Sequence, residues 1–274
     1  MKKDVSLIPS AFSMALLLLA AAPLQAVMPS EPVSGWLFDG DLSDTYGGNG
    51  GTIVGGGVSY SSDGPFAGGQ ALDVRGTDGA VNFGNPDNLR ITDAITVSTW
   101  VNFESSGGYV FNKWDTDSDI RRSWAIRDRG DGQVSVLLSR NGFFSDGNRK
   151  EYAISGSIND GDWHHVAFTF EDNQLALYLN GSQVDSPVLV YDDSFDTIYN
   201  NDAPVFAGSR GDHPSSLFDG LIGESAIWDG VLGADEISWL SQNSLAAIPE
   251  PSTFALLFGV GAFGLVVYRR RNRR

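Results

Sequence analysis

The chain has 274 residues, 42% hydrophobic and 11% aromatic, with 33 glycines and no cysteine. That is enough apolar material for one sizeable core and excludes a mainly disordered chain. It also excludes disulfides, thiolate metal sites and a cysteine nucleophile. Residues Val27 to Ile248 hold 11 basic against 32 acidic side chains, a net charge of −21 within a chain total of −16, which argues against nucleic acid as a partner.

In chain order, residues 1–26 read as a secretory signal. Lys2 and Lys3 form a basic start, Ala15 to Ala22 is apolar, and the segment ends on the small residue Ala26. Its apolar core is short for a membrane span. The body, 27–246, shows short apolar or alternating runs cut by Gly, Asp and Asn clusters. These predict strands at Gly35–Phe38, Gln70–Val74, Ala80–Phe83, Ile95–Phe103, Tyr109–Lys113, Ser123–Asp128, Gln133–Leu138, Trp163–Phe170, Gln174–Asn180, Ala203–Gly208 and Phe218–Trp228. In Ile95–Phe103 a period of two puts Ile95, Val97, Val101 and Phe103 on one face and Trp100 on the other. Leu175–Leu179 runs into Asn180-Gly181, a hairpin signal. One short helix is predicted at Gly233–Leu240, with acids in its first turn and Ile237 and Leu240 three apart. Many short strands and almost no helix predict an all-β, two-sheet antiparallel sandwich.

The last segment, 247–274, has three parts: Pro249-Glu250-Pro251, an apolar run over 253–268, and a tail with Arg269, Arg270, Arg271, Arg273 and Arg274. The run is at the short edge of what a bilayer helix needs, and the arginines should stay cytoplasmic. This tail resembles the PEP-CTERM sorting signal of Gram-negative bacteria with extracellular polysaccharide. The resemblance implies transient anchoring in the inner membrane, processing by an exosortase, and delivery to the cell surface or extracellular matrix. A permanent single-span anchor is the alternative.

Five stretches of the body carry a second resemblance. They are Trp36–Asp44, Ile95–Val101, Asp162–Ala167 (Asp-Trp-His-His-Val-Ala), Leu177–Gly181 and Phe218–Trp228 with Leu232 and Glu236-Ile237 after it. In this order they resemble the laminin-G-like, concanavalin A-like jelly rolls. That family implies two curved antiparallel sheets and, mostly, binding of glycans or proteins without catalysis.

The chemistry-bearing residues give few enzyme signals. A glycosidase needs two carboxylates across the scissile bond. The glucanase-type Glu-x-Asp-x-x-Glu is absent, and no two of the seven Glu lie within five residues of each other. The adjacent His164 and His165 point to opposite faces of a strand and so do not share one ligand, and the resemblance to the jelly rolls implies a structural, Trp-associated strand element. Calcium is the cofactor most in keeping with clustered loop acids. Its first candidate site joins Asp39 and Asp44 with Glu224, by analogy with relatives whose opening and closing strands lie together. In those relatives an Asp commonly stands where this chain has Gly223. The Asp115–Asp119 loop and Asp192-Asp193 with Asp196 are the other two. Solvated acidic turns are the alternative for all three.

Glycan binding needs exposed aromatics beside polar groups. Trp114 with Asp115, Asp117, Asp119 and Arg121 is the first candidate patch, and Phe143-Phe144 is the second. Two Arg-Gly-Asp tripeptides are read as chance matches, and the Asn180-Gly-Ser182 sequon as the hairpin turn. The sequence thus predicts a secreted, non-catalytic surface or matrix protein that binds polysaccharide through loops. The alternatives are a structural surface protein contacting other proteins, and an unusual polysaccharide hydrolase or lyase.

Overall fold

A computed structural model describes residues 27–104, 107–115, 120–130, 132–211 and 216–249. It contains, in chain order, β1 (Ser34–Trp36), β2 (Thr52–Val54), β3 (Ser59–Ser61), β4 (Ala71–Asp73), β5 (Ala80–Asn82), β6 (Ala94–Phe103), β7 (Gly108–Trp114) and β8 (Arg122–Asp128). There follow β9 (Val134–Ser139), β10 (Arg149–Ala153), β11 (His164–Glu171), β12 (Gln174–Leu179), β13 (Ser182–Gln183), β14 (Val188–Asp192), β15 (Phe206–Ala207), β16 (Gly220–Asp229) and the helix α1 (Ala234–Leu240).

The strands form two antiparallel sheets, as the sequence predicts for a jelly roll. The first runs β13-β12-β11-β6-β16-β4-β3, with β1 also paired to β16. The second runs β14-β10-β9-β8-β7-β15-β5-β2. The alternation of apolar residues explains why they face each other. Ile95, Val97, Val101 and Phe103 of β6, Val166, Phe168 and Phe170 of β11, and Trp124 and Ile126 of β8 all enter one shared core. Trp36 sits in that core with its ring centroid 4.3 Å from Phe83 and 5.7 Å from Phe111. The Asn180-Gly181 turn closes the β12–β13 hairpin with φ of 50° and 80°, the left-handed backbone that this dipeptide tolerates.

The strands β2, β3, β10 and β14 were not predicted. Two are short and glycine-flanked. The third, Arg-Lys-Glu-Tyr-Ala, begins with three charged residues yet buries Lys150 and Glu151.

The outer face of the first sheet is covered. Ala167, Tyr178, Ala226 and Trp228 pack under Leu232, Ile237, Leu240, Leu245 and Ile248. The chain leaving α1 is pinned there by polar contacts. Glu224 accepts bonds from the Ser244 hydroxyl (2.5 Å) and the Leu245 N–H (2.6 Å), and the Tyr46 hydroxyl reaches the carbonyls of Leu245 (2.5 Å) and Ile248 (3.2 Å). The packed body therefore continues through Ile248.

Candidate functional site

Among the described residues no helix packs over the outer face of the second sheet. Cross-strand register fixes what it presents. One row runs Tyr109, Arg127, Ser135 and Ala153 across β7, β8, β9 and β10, and the next runs Asn112, Ala125, Leu137 and Glu151. Cross-strand partners share a face, and the residues between them, Trp124, Ile126, Val136 and Leu138, belong to the central core. A small separate cluster of Tyr109, Trp114, Ala125 and Leu137 forms on this outer side, with Phe144 packed on it.

Above that cluster lies a depression of about 350 Å³, lined by Tyr109, Trp114, Arg122, Arg127, Leu137, Phe143, Phe144, Ser145 and Arg210. Its aromatic wall is a relay of edge contacts. Trp114 and Phe144 centroids are 5.2 Å apart, and Phe144 and Tyr191 are 5.6 Å apart. The Arg149 guanidinium lies 3.5 Å from the Tyr191 ring centre, which the cation–π attraction favours. On the other side the Tyr109 ring lies near two cations, with Arg127 at 6.0 Å and Arg210 at 5.6 Å from its centre.

The electrostatics are built around Glu151. Its side chain is 2% exposed and takes Arg127 at 2.8 Å and Arg129 at 3.5 Å, with the Ser135 hydroxyl donating at 3.0 Å. Burial alone would lower the Arg127 pKa. The hydrogen bond and charge of Glu151, with help from Tyr109, outweigh it and hold the guanidinium above its ordinary value. One buried carboxylate thus orients two arginines at the surface. Arg122 donates to the Gly142 carbonyl at 3.4 Å, tying β8 to the loop that carries Phe143 and Phe144.

The first predicted patch divides. Trp114 is 2% exposed and forms the floor of the depression instead of a free stacking platform. Asp115 is buried and pairs with Arg121 at 2.8 Å. Arg121 lines a different depression, of about 380 Å³, with Ile120, Tyr199 and Asp202. Asp117 and Asp119 lie outside the described residues. The second patch, Phe143-Phe144, is brought onto the Trp114 floor, with Phe143 40% exposed. Sequence reasoning missed Arg127, Arg149, Glu151, Tyr191 and Arg210. A signal existed for Arg127, because the predicted strand Ser123–Asp128 places it opposite Trp124 and Ile126.

The calcium candidates do not converge. Asp39 and Glu224 line one depression of about 240 Å³. Asp44 is engaged elsewhere, its two oxygens accepting the backbone N–H groups of Gly35, Tyr46, Gly47 and Asn49. Burial, with the charge of Asp39 adding to it, raises the Glu224 pKa against its bonds to Ser244 and Leu245. Two carboxylates, one with both oxygens already accepting bonds, fall short of the six to eight oxygens that calcium takes. Among the described residues no group of three or more His, Asp or Glu side chains comes together. Asp192 instead binds Lys150 and the Tyr152 hydroxyl, both at 2.7 Å, and Asp193 accepts the Arg149 N–H.

The histidines separate as expected for neighbours on a strand. His164 faces Asp160 at 3.0 Å, while buried His165 meets the Ser98 hydroxyl at 2.7 Å and packs on Trp100. Of the sorting motif only Pro249 is described; Glu250, Pro251 and the arginines Arg269, Arg270, Arg271, Arg273 and Arg274 lie outside. No helix among the described residues is long and apolar enough to cross a membrane.

Comparison with known proteins places this geometry. Residues 75–238, more than half of the chain, match the family profile described as the concanavalin A-like lectin/glucanases superfamily. The chain belongs to the concanavalin A-like lectin/glucanase superfamily. Residues 247–272 match the PEP-CTERM protein-sorting motif. No curated protein sequence matches the chain. Among solved structures, this concanavalin A-like chain is similar to domain 4 of AbnA, an extracellular arabinanase from Geobacillus stearothermophilus solved with arabinotriose. The identity is 24% and the TM-score 0.54, over 78% of this chain and 99% of that one. It is also similar to the botulinum neurotoxin serotype G binding domain (16% identity, TM-score 0.57), covering 77% of this chain and 51% of that one. A third is the serotype D ligand-binding domain solved with N-acetylneuraminic acid (16%, 0.53), covering 77% and 50%. The chain thus spans about half the length of these toxin domains. At such identities the likeness is one of fold.

Proposed function

We propose that this protein is an exported, non-catalytic carbohydrate-binding protein whose glycan lies in the depression on the outer face of the second sheet. The observation that carries the reading is the pairing there of an aromatic wall, Trp114, Phe143 and Phe144, with the guanidinium groups of Arg122, Arg127 and Arg210. Sugar rings offer apolar faces and hydroxyl edges, and such a wall with a few oriented donors is complementary to both. Similar folds solved with arabinotriose and N-acetylneuraminic acid support it at the level of architecture. In support of binding without turnover, no carboxylate among the described residues lines the depression. The acid beside it, Glu151, is held by two arginines, and the described residues bring no second carboxylate to it of the kind that glycoside hydrolysis requires.

The sorting motif supports export and a C-terminal membrane anchor, followed by exosortase processing and residence at the cell surface or in an extracellular polysaccharide matrix. The test is a glycan array probed with the full chain in detergent. Bound members should be lost or weakened at least tenfold by Phe143→Ala or Phe144→Ala. Binding that both variants retain unchanged would remove the site, and hydrolysis or elimination products from the array sugars would remove the non-catalytic reading.

A further inference from the structure

Val27 to Ile248 carries 32 acids against 11 bases, yet the nine described residues lining the depression include three arginines and no acid. Arg129 and Arg149 stand beside it, the first on Glu151 and the second over Tyr191. Nearly half of the body's basic side chains therefore gather on one face of a strongly anionic molecule. Stability does not account for all of them. Glu151 neutralises one charge of the Arg127–Arg129 pair, and Arg149 has the exposed Asp146 at 2.5 Å. Arg210 has no carboxylate partner among the described residues, and its Nε is buried without a hydrogen-bond partner. A neutral sugar would need aromatic faces and hydroxyl-directed hydrogen bonds, for which neutral side chains suffice. A local excess of guanidinium forks matches planar carboxylates.

We infer that the ligand of this depression is an acidic saccharide, a chain bearing uronate or sialate-type carboxylates. This rests on the depression being the glycan site and adds the class of glycan. The carboxylate is received by the Arg127–Tyr109–Arg210 side, and the sugar ring leans on Phe143 and Phe144. The anionic remainder of the protein acts as a filter, because an acidic polymer is repelled everywhere but here.

The experiment prints uronate- and sialate-containing oligosaccharides beside their carboxyl-reduced counterparts, with full chain in detergent as the probe. Acidic members should bind at least tenfold more tightly than their reduced forms. Arg210→Gln should lower that affinity about tenfold, and added salt should weaken it severalfold. Arg122→Gln serves as a second variant should the first fail to fold. Arg127 is avoided because its loss strands Glu151. Equal binding of acidic and reduced members, still abolished by Phe144→Ala, overturns the acidic class and leaves the site. Binding indifferent to Phe144→Ala, or absent from both sets, overturns the site itself.

Discussion

Arg127 of β8 and Glu151 of β10 meet at 2.8 Å across the intervening strand β9, with the glutamate side chain 2% exposed. The pair is therefore mostly desolvated, and removing one partner strands a buried charge. Arg127→Met is expected to cost on the order of 3 kcal/mol in urea unfolding, moderated by Arg129 at 3.5 Å. Arg127→Met with Glu151→Met should recover most of that loss. A double variant as unstable as the sum of the singles would show that the two side chains do not interact.

Phe143 and Trp114 line the same depression at very different depths, 40% and 2% exposed. Phe143→Ala should leave the melting temperature nearly unchanged while weakening glycan binding. Trp114→Ala opens a cavity under Phe144 and should cost about 3–5 kcal/mol whatever is bound. Equal losses of stability in the two variants would refute this division between rim and floor.

His165 is fully enclosed, and burial lowers its pKa from 6.5 to about 3. The unfolded chain then binds a proton that the folded one refuses, so stability falls as pH drops below 6.5. Between pH 7 and 4.5 the loss should be roughly 2–3 kcal/mol. Asp73, Asp160 and Asp192, whose pKa values are held down by hydrogen bonds from Arg75, His164 and Lys150, add to the loss only below about pH 4. Glu224, raised by burial, works in the opposite sense. Denaturation midpoints for His165→Gln should be flatter than wild type between pH 6.5 and 4.5, and a parallel slope would count against the assignment.

Lys113 is 1% exposed, its amine donating to the Ala203 carbonyl at 2.6 Å and to Asn85, and burial lowers its pKa to about 7. The folded amine is neutral at an alkaline pH where the unfolded one is still charged. Stability should thus rise by roughly 2 kcal/mol from pH 7 to 9. Lys113→Met should abolish that rise, as read from guanidinium unfolding at the two pH values.

Calcium provides a simple negative control. The carboxylates of Asp44 and Glu224 are already satisfied within the protein. Adding millimolar Ca²⁺ to chelator-treated protein should leave the melting temperature where it was, and a clear upward shift would reopen Asp39 and Glu224 as ligands.

The sandwich was legible because its central strands alternate cleanly, β6 and β11 above all, and because Asn180-Gly181 marks its hairpin. The site was legible only in part. Phe143 and Phe144 stood out as aromatics in a loop. Glu151 and Arg149 did not, because they sit on β10, whose run of charges reads as a solvated turn until pairing with β9 and β14 buries it. Arg210 and Tyr191 come from distant parts of the chain, and local spacing cannot bring them to Tyr109 and Phe144. Trp114 and Arg121, expected in one patch, line different depressions, and a register shift between Lys113 and Trp114 marks the point where the tryptophan turns onto the sheet.

The way the chain leaves the body has a geometric outcome. Ile248 is locked against the first sheet by Tyr46 and its apolar neighbours. Only Pro249 to Ser252 separate it from the apolar run that begins at Thr253. Four extended residues reach at most about 14 Å. On the proposal that this run anchors the chain, so short a spacer would hold the helix-covered flank toward the bilayer. The arginine-rich hollow on the opposite flank would then look outward, open to a passing polymer while the chain is anchored.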